Sequence, residues 1–210
     1  MWFSKKPKIS FCTIVKNESR FLGRMLESVS PYVDEIIVLD NGSKDNSSEI
    51  AKNFGAFVIH SNGEGDLSAL RNETIELAKG EWIFYLDGDE VIEKKDMKQV
   101  LRLAKSQKFD AFSFTSRIYT NTFDVFHEWK PCKGEYPEAE KIAGTKGFVD
   151  IKWGVRLFRN KPEYEFEGFI HEMVNGTVPK EKISECNVMI QHFKELVFKN
   201  CIFLNDGNLS

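Results

Sequence analysis

Along the first hundred residues the apolar positions switch repeatedly between a strand-like and a helix-like period. Ile9-Ser10-Phe11-Cys12-Thr13-Ile14-Val15 is a short, nearly continuous apolar run and reads as a buried strand. Asn17, Glu18 and Ser19 are residue types that start helices. Phe21, Leu22, Met25, Leu26 and Val29 then recur at helical spacing until Pro31. Glu35-Ile36-Ile37-Val38-Leu39 is a second strand that ends in Asp40, with Asn41-Gly42-Ser43 as a turn. A short helix carrying Ile50, Ala51 and Phe54 runs to Gly55, and Ala56-Phe57-Val58-Ile59 is a third strand. Asp66 caps a helix with Leu67, Leu70, Thr74 and Leu77 on one face, closed by Gly80. Glu81-Trp82-Ile83-Phe84 is the fourth strand. Strands and helices alternating in this way predict an α/β fold whose mostly parallel sheet is covered on both faces.

A helix with Met97, Val100, Leu101 and Ala104 and a strand over 110–119 extend the pattern. It dissolves over 120–150, a stretch rich in aromatic, charged and turn residues that is expected to be a functional loop. Val155 to Arg159 reads as a strand, Asn160-Lys161-Pro162 as a turn, and Cys186 to Ile190 as a further strand. The segment 194–204 has the pattern of a short amphipathic helix.

Composition narrows the class. With 210 residues, 41% of them hydrophobic, the chain suits a single domain with an appendage. A net charge of -3 gives no reason to expect nucleic acid as a partner. No run approaches the ~20 apolar residues of a membrane helix. Lys5-Lys6-Pro7-Lys8 could still make peripheral contact with an anionic membrane surface. The 4 cysteines form no CxxC site, and Met1-Trp2-Phe3-Ser4 is too short for a secretory signal. A reducing, cytoplasmic setting is expected.

Chemistry concentrates where the fourth strand ends, at Tyr85-Leu86-Asp87-Gly88-Asp89-Glu90. Ligands of open α/β sheets gather at the carboxyl ends of strands. Crowded carboxylates repel one another unless a cation or donors neutralise them. A hard divalent ion takes one or two carboxylates plus substrate phosphates, so the motif suggests a metal holding a diphosphate. Gly88 would let a ligand approach the backbone. Asp40 is a second strand-end carboxylate, able to meet a ribose or base edge. Neither segment has the ligand spacing of a calcium-binding EF-hand loop. Arg71, one turn into its helix, offers a planar fork of donors. Glu172, beside the apolar Gly168-Phe169-Ile170, is a candidate base, with Asp150 as an alternative. His192 is a further ionisable candidate. No GxSxG, P-loop, HExxH or GxGxxG motif is present.

Thr13-Ile14-Val15-Lys16-Asn17-Glu18, Glu35 to Ser43, Leu70-Arg71-Asn72 and Trp82 to Glu90 follow one another in the order and spacing of a known family. Together they resemble the family 2 glycosyltransferases of the GT-A fold. Val155 to Arg159 and Gly168 to Glu172 are similar to a branch of that family with a VRLFR strand and an IHE motif. The resemblance implies a Rossmann-like, mostly parallel sheet flanked by helices, with a mixed acceptor-side C-terminal half. It implies one domain over 1–210: a nucleotide-sugar half over 8–92, an acceptor and catalytic half over 93–192, and a tail over 193–210. It also implies metal-assisted, inverting transfer of a sugar from a nucleotide donor, a UDP-sugar first, with Mn²⁺ or Mg²⁺ as cofactor. Thr13, Glu18, Asp40, Arg71, Asp87 and Gly88 would bind the nucleotide sugar. Asp87, Asp89 and His192 would hold the metal, and Glu172 or Asp150 would be the base. The acceptor would be a glycan, a lipid-linked glycan or a protein. The loop over 120–150 would close on the donor, and Trp129, Tyr136 and Trp153 could stack on sugar faces. The alternatives are a sugar-nucleotide nucleotidyltransferase, which would want a Gly-rich loop where Val15-Lys16-Asn17-Glu18 stands, and an inactive nucleotide-sugar-binding module.

Overall fold

The computed structural model describes residues 9–62, 65–120, 128–132, 147–168, 173–174 and 176–193, with Trp153 described by its backbone alone. Among them lie nine strands: β1 (Ile9–Val15), β2 (Glu35–Asp40), β3 (Phe57–His60), β4 (Trp82–Tyr85), β5 (Glu90–Ile92), β6 (Ala111–Thr120), β7 (Lys130–Pro131), β8 (Gly147–Arg159) and β9 (Ile183–His192). Four α-helices accompany them: α1 (Leu22–Val29), α2 (Ser47–Asn53), α3 (Leu67–Glu76) and α4 (Lys94–Leu103).

All nine strands join one sheet, ordered β3-β2-β1-β4-β8-β6-β9-β5, with β7 paired to β8. The first four run parallel. β8 enters antiparallel to β4 and β6, β9 runs parallel to β6, and β5 closes antiparallel to β9. The expected division into a parallel first half and a mixed second half is therefore present. The chain steps outward from β1 to β3, then returns to the far side of β1 as β4. Such a switch point opens a crevice at the carboxyl ends of the two central strands.

Strand alternation sends side chains to two cores. Ile9, Phe11, Val15, Ile36, Val38, Trp82 and Phe84 pack with Leu22, Met25, Leu26 and Val29 of α1 and with Met97 and Val100 of α4. Cys12, Ile37, Ile83 and Tyr85 face the other way, against Ile75 of α3 and against Tyr164, Phe166, Val174 and Val178. Both faces of the parallel half are thus covered, which is why its strands read as apolar runs.

Several details depart from the expectations. α1 begins at Leu22 rather than near Asn17, because residues 17–19 hydrogen-bond across to another loop instead of capping a helix. Asp66 does cap α3, accepting from the Ser68 N–H at 3.0 Å. The buried face of α3 is Ser68, Leu70, Thr74 and Ile75, however, and Leu67 and Leu77 are 43% and 41% exposed. β8 starts at Gly147, inside the stretch expected to be loop, because β6 and the short β7 give it partners on both sides. β5 is only three residues long, too short to show a period. The expected C-terminal helix, Tyr136, the side chain of Trp153 and the Lys5–Lys8 cluster lie outside the described residues.

Candidate functional site

The site is assembled by backbone register first. Val15 pairs with Asp40 and Asp40 with His60, so β1, β2 and β3 end level with one another, while β4 ends at Tyr85, opposite Cys12, and its continuation carries Asp87 toward the same edge. Two loops beyond those ends are stitched together. The Asn17 N–H donates to Ser43 Oγ (2.9 Å), the Lys44 N–H to Asn17 Oδ1 (2.7 Å), the Glu18 N–H to Ser47 Oγ (2.8 Å) and the Ser19 N–H to Asp45 Oδ2 (3.0 Å). Asn17 meets this pattern with φ of 58°, a left-handed conformation that Asn tolerates better than most residues. Burial works to raise the Asp45 pKa, but hydrogen bonds from Ser47 and Ser19 prevail and hold it at about 2.

The result is a cavity of about 270 Å³ lined by Ile14, Val15, Lys16, Glu18, Asn41, Leu67, Arg71, Asp87, Gly88, Asp89 and His192. A larger cavity, about 390 Å³, lies between the C-terminal end of α3 and the turn after β8. Only the smaller one joins the strand-end carboxylates to cationic side chains, so chemistry rather than size selects it.

Of the nucleotide-binding candidates, Glu18, Arg71, Asp87 and Gly88 line this cavity. Thr13 does not: it is buried, and its hydroxyl donates to the Leu86 carbonyl at 2.7 Å, holding the end of β4 against β1. Asp40 is also buried beside the cavity, with Oδ1 accepting from the Ser43 N–H at 2.8 Å. Its neighbour Asn41 lines the cavity instead, and Asn41 Oδ1 is buried with no hydrogen-bond partner among the described residues. Reading the turn as Asn-Gly-Ser drew attention away from Asn41. The strand-end position alone could have drawn attention to it.

Arg71 Nη2 donates to Asp87 Oδ1 at 2.7 Å, and its guanidinium lies 4.9 Å from the Tyr85 ring centroid. Burial pushes the Asp87 pKa up, but Arg71 and Arg156 outweigh it and hold the carboxyl well below the usual carboxylate range. A Cβ added at Gly88 would stand 2.8 Å from Glu18 Cγ and 3.0 Å from its Cβ, so a protein side chain already crowds this glycine.

Sequence reasoning gave no role to Glu90 and Arg156. Phe112 pairs with Leu157 but Ser113 pairs with Val155, so Arg156 is the extra residue of a bulge in β8. Bulges re-aim side chains near sites. Arg156 is fully buried, with Nη2 at 2.8 Å from Glu90 Oε1 and 3.5 Å from Asp87 Oδ2. Burial raises the Glu90 pKa despite that partner. An arginine inside a strand and an acid next to Asp89 were the signals available.

His192, the last residue of β9, stands opposite Glu90 in the β5–β9 register. Its Nε2 lies 3.3 Å from Asp89 Oδ2 and its Nδ1 3.5 Å from Glu90 Oε1. Burial would lower its pKa, but the carboxylates of Asp89 and Glu90 more than offset this and raise it. Among the described residues no three His, Cys, Asp or Glu side chains converge on one ion position. Asp89 and His192 alone face each other with nothing bonded between them: Nε2 is buried without a hydrogen-bond partner there. One carboxylate and one imidazole fit a divalent ion whose other ligands are diphosphate oxygens and water.

Asp150 accepts from Arg117 Nε at 2.7 Å and Nη2 at 2.9 Å, so both its oxygens are engaged. Glu172 lies outside the described residues. The chain before it is anchored to α3, where Asn72 exchanges two hydrogen bonds with the Phe166 backbone (2.7 and 3.0 Å) and Ser68 Oγ donates to the Gly168 carbonyl at 2.6 Å; after it, Met173 bridges back to Glu167.

Residues 10–160 match the model of the family described as glycosyl transferase family 2. The chain belongs to glycosyl transferase family 2. A TPR repeat-containing protein of Synechococcus elongatus is 31% identical over 81% of this chain and 36% of its own length. The prophage-derived glycosyltransferase SunS of Bacillus subtilis is 31% identical over 59% of this chain and 32% of its own. The family 2 chain therefore spans about a third of the length of these relatives. Among solved structures, S. aureus TarS in complex with UDP-GlcNAc superposes with a TM-score of 0.63 at 16% identity, over 90% of this chain and 59% of that one. This shows a shared GT-A fold. Among the described residues no helix is long and apolar enough to cross a membrane.

Proposed function

We propose that this chain transfers a sugar from a nucleoside-diphosphate donor, a UDP-sugar, to an acceptor hydroxyl with inversion at the anomeric carbon, assisted by Mn²⁺ or Mg²⁺. The observation that carries this reading is the convergence, at the β1/β4 switch point, of Asp87, Asp89 and His192 with Lys16 and Arg71 around one cavity. Family membership supports it. Lys16 and Arg71 match the charge of a diphosphate, and the Arg71 fork suits a phosphate edge. Asn41, with its unsatisfied oxygen, suits the N–H of a base, and Asp87 a ribose. Asp89 and His192 would hold the metal, which when bound offsets charge developing on the departing nucleoside diphosphate.

Glu172 takes the proton from the acceptor hydroxyl, a step worth about 10²- to 10⁴-fold. The bidentate engagement of Asp150 by Arg117 favours Glu172 over it. The acceptor would be a glycan, a lipid-linked glycan or a protein. The thiols of Cys12 and Cys186 support a reducing, cytoplasmic setting. A panel of nucleotide sugars scored by thermal shift with Mn²⁺, followed by measurement of UDP release from the best binder, tests the reading. Stabilisation by UDP-sugars with acceptor-dependent release is expected. Stabilisation by none of the panel would contradict it.

A further inference from the structure

Glu90 and Arg156 touch no part of the cavity, yet they connect the groups that do. Glu90 is completely buried, and its carboxylate reaches three partners. Oε2 accepts from the Asp87 N–H at 2.9 Å, closing the Asp87–Glu90 turn, whose other bond runs from the Glu90 N–H to the Asp87 carbonyl at 3.0 Å. Oε1 accepts from Arg156 at 2.8 Å. The same oxygen lies 3.5 Å from His192 Nδ1. Arg156 in turn lies over the Tyr85 ring, 4.7 Å from its centroid.

A buried carboxylate is retained only with partners that neutralise it, and Arg156 supplies that charge from the β8 bulge. A metal-ligating histidine commonly gives its second ring nitrogen to a carboxylate, which fixes the tautomer and the ring plane. His192 has that arrangement: Nδ1 faces Glu90 while Nε2 faces Asp89.

We propose that the buried Glu90–Arg156 pair is a positioning device for the metal. Glu90 sets the His192 ring from its Nδ1 side so that Nε2 faces Asp89, and through the Asp87 N–H it fixes the turn that carries both aspartates. Arg156 holds Glu90 in place through its 2.8 Å hydrogen bond. The proposal rests on the metal role of Asp89 and His192 given above.

The test is Mn²⁺ affinity in the presence of UDP, followed by electron paramagnetic resonance of free Mn²⁺, set against UDP affinity in EDTA. Wild type is compared with Glu90→Gln. A second variant, Glu90→Gln with Arg156→Met, removes the pair as a unit and carries the same test where the single change fails to fold. Loss of an orienting partner typically lowers metal affinity about 10- to 100-fold. That loss, with metal-free UDP affinity falling by clearly less, is the expected result, and a merely structural role would weaken both alike or neither. Wild-type Mn²⁺ affinity in a folded variant overturns the positioning role while leaving the metal role intact. Wild type that binds no Mn²⁺ with UDP overturns both.

Discussion

In the parallel half of the sheet Lys16, Glu18, Asn41, Asp87 and Asp89 stand just beyond a strand's carboxyl end, whereas in the mixed half Arg117, Asp150 and Arg156 lie inside strands. Lys16, Glu18, Asn41, Asp87 and Asp89 are presented by backbone register and by two interlocked loops. Arg156 comes within 3.5 Å of Asp87, behind the cavity, where a bulge in β8 turns it. The first half thus builds the cavity from topology. From the second half the buried Arg156 adds its charge beside Asp87.

The comparison is broken most severely by Asp89→Ala. The side chain is proposed to hold the metal, and its ion-pair partner among the described residues is His192, so turnover should fall to background while the melting temperature holds. Full residual activity would contradict this. Glu172→Gln should lower kcat by about 10²- to 10⁴-fold with donor affinity retained. Asp150→Asn should instead disturb an ion pair and leave kcat largely intact. The opposite ranking in steady-state kinetics would move the base to Asp150.

Gly88→Ala should destabilise by about 1–3 kcal/mol through overpacking against Glu18. Adding Glu18→Ala removes the closer contact and should recover part of the loss in urea denaturation. Asn17→Ala should cost about 1–2 kcal/mol, for a lost hydrogen bond and a strained left-handed residue. The acidic side of the same loop junction has a defined sign. Asp45 has a folded pKa of about 2 against 3.8, so its contribution is present above the higher value and is lost as pH falls through the lower one. The smallest effect belongs to Leu77→Lys, within about 0.5 kcal/mol, because Leu77 is exposed rather than part of the core face of α3.

Legibility in the sequence follows the same division. β1, β2 and β4 are buried on both faces, so their apolar runs announced them, and Asp87-Gly88-Asp89 stood out as carboxylates at a strand end. Asp66 as the cap of α3 was equally plain. The start of α1 was misplaced because Asn17, Glu18 and Ser19 spend their hydrogen-bonding groups on a neighbouring loop, a contact with no local signature. β5 and the first part of β8 draw their identity from partners far along the chain. Glu90 and Arg156 escaped notice because a buried ion pair 66 residues apart leaves no periodic trace. Asn41 was hidden by its residue type, read as a turn-former where its oxygen instead lacks a partner.

The central claim, that the β1/β4 crevice is a metal-dependent donor site, is tested most directly by isothermal titration of a UDP-sugar into the wild-type protein with Mn²⁺ and again with EDTA. The account predicts clear binding with Mn²⁺ that weakens by at least about tenfold when the metal is removed, a difference of ~1.4 kcal/mol. Equal affinity under the two conditions would contradict it.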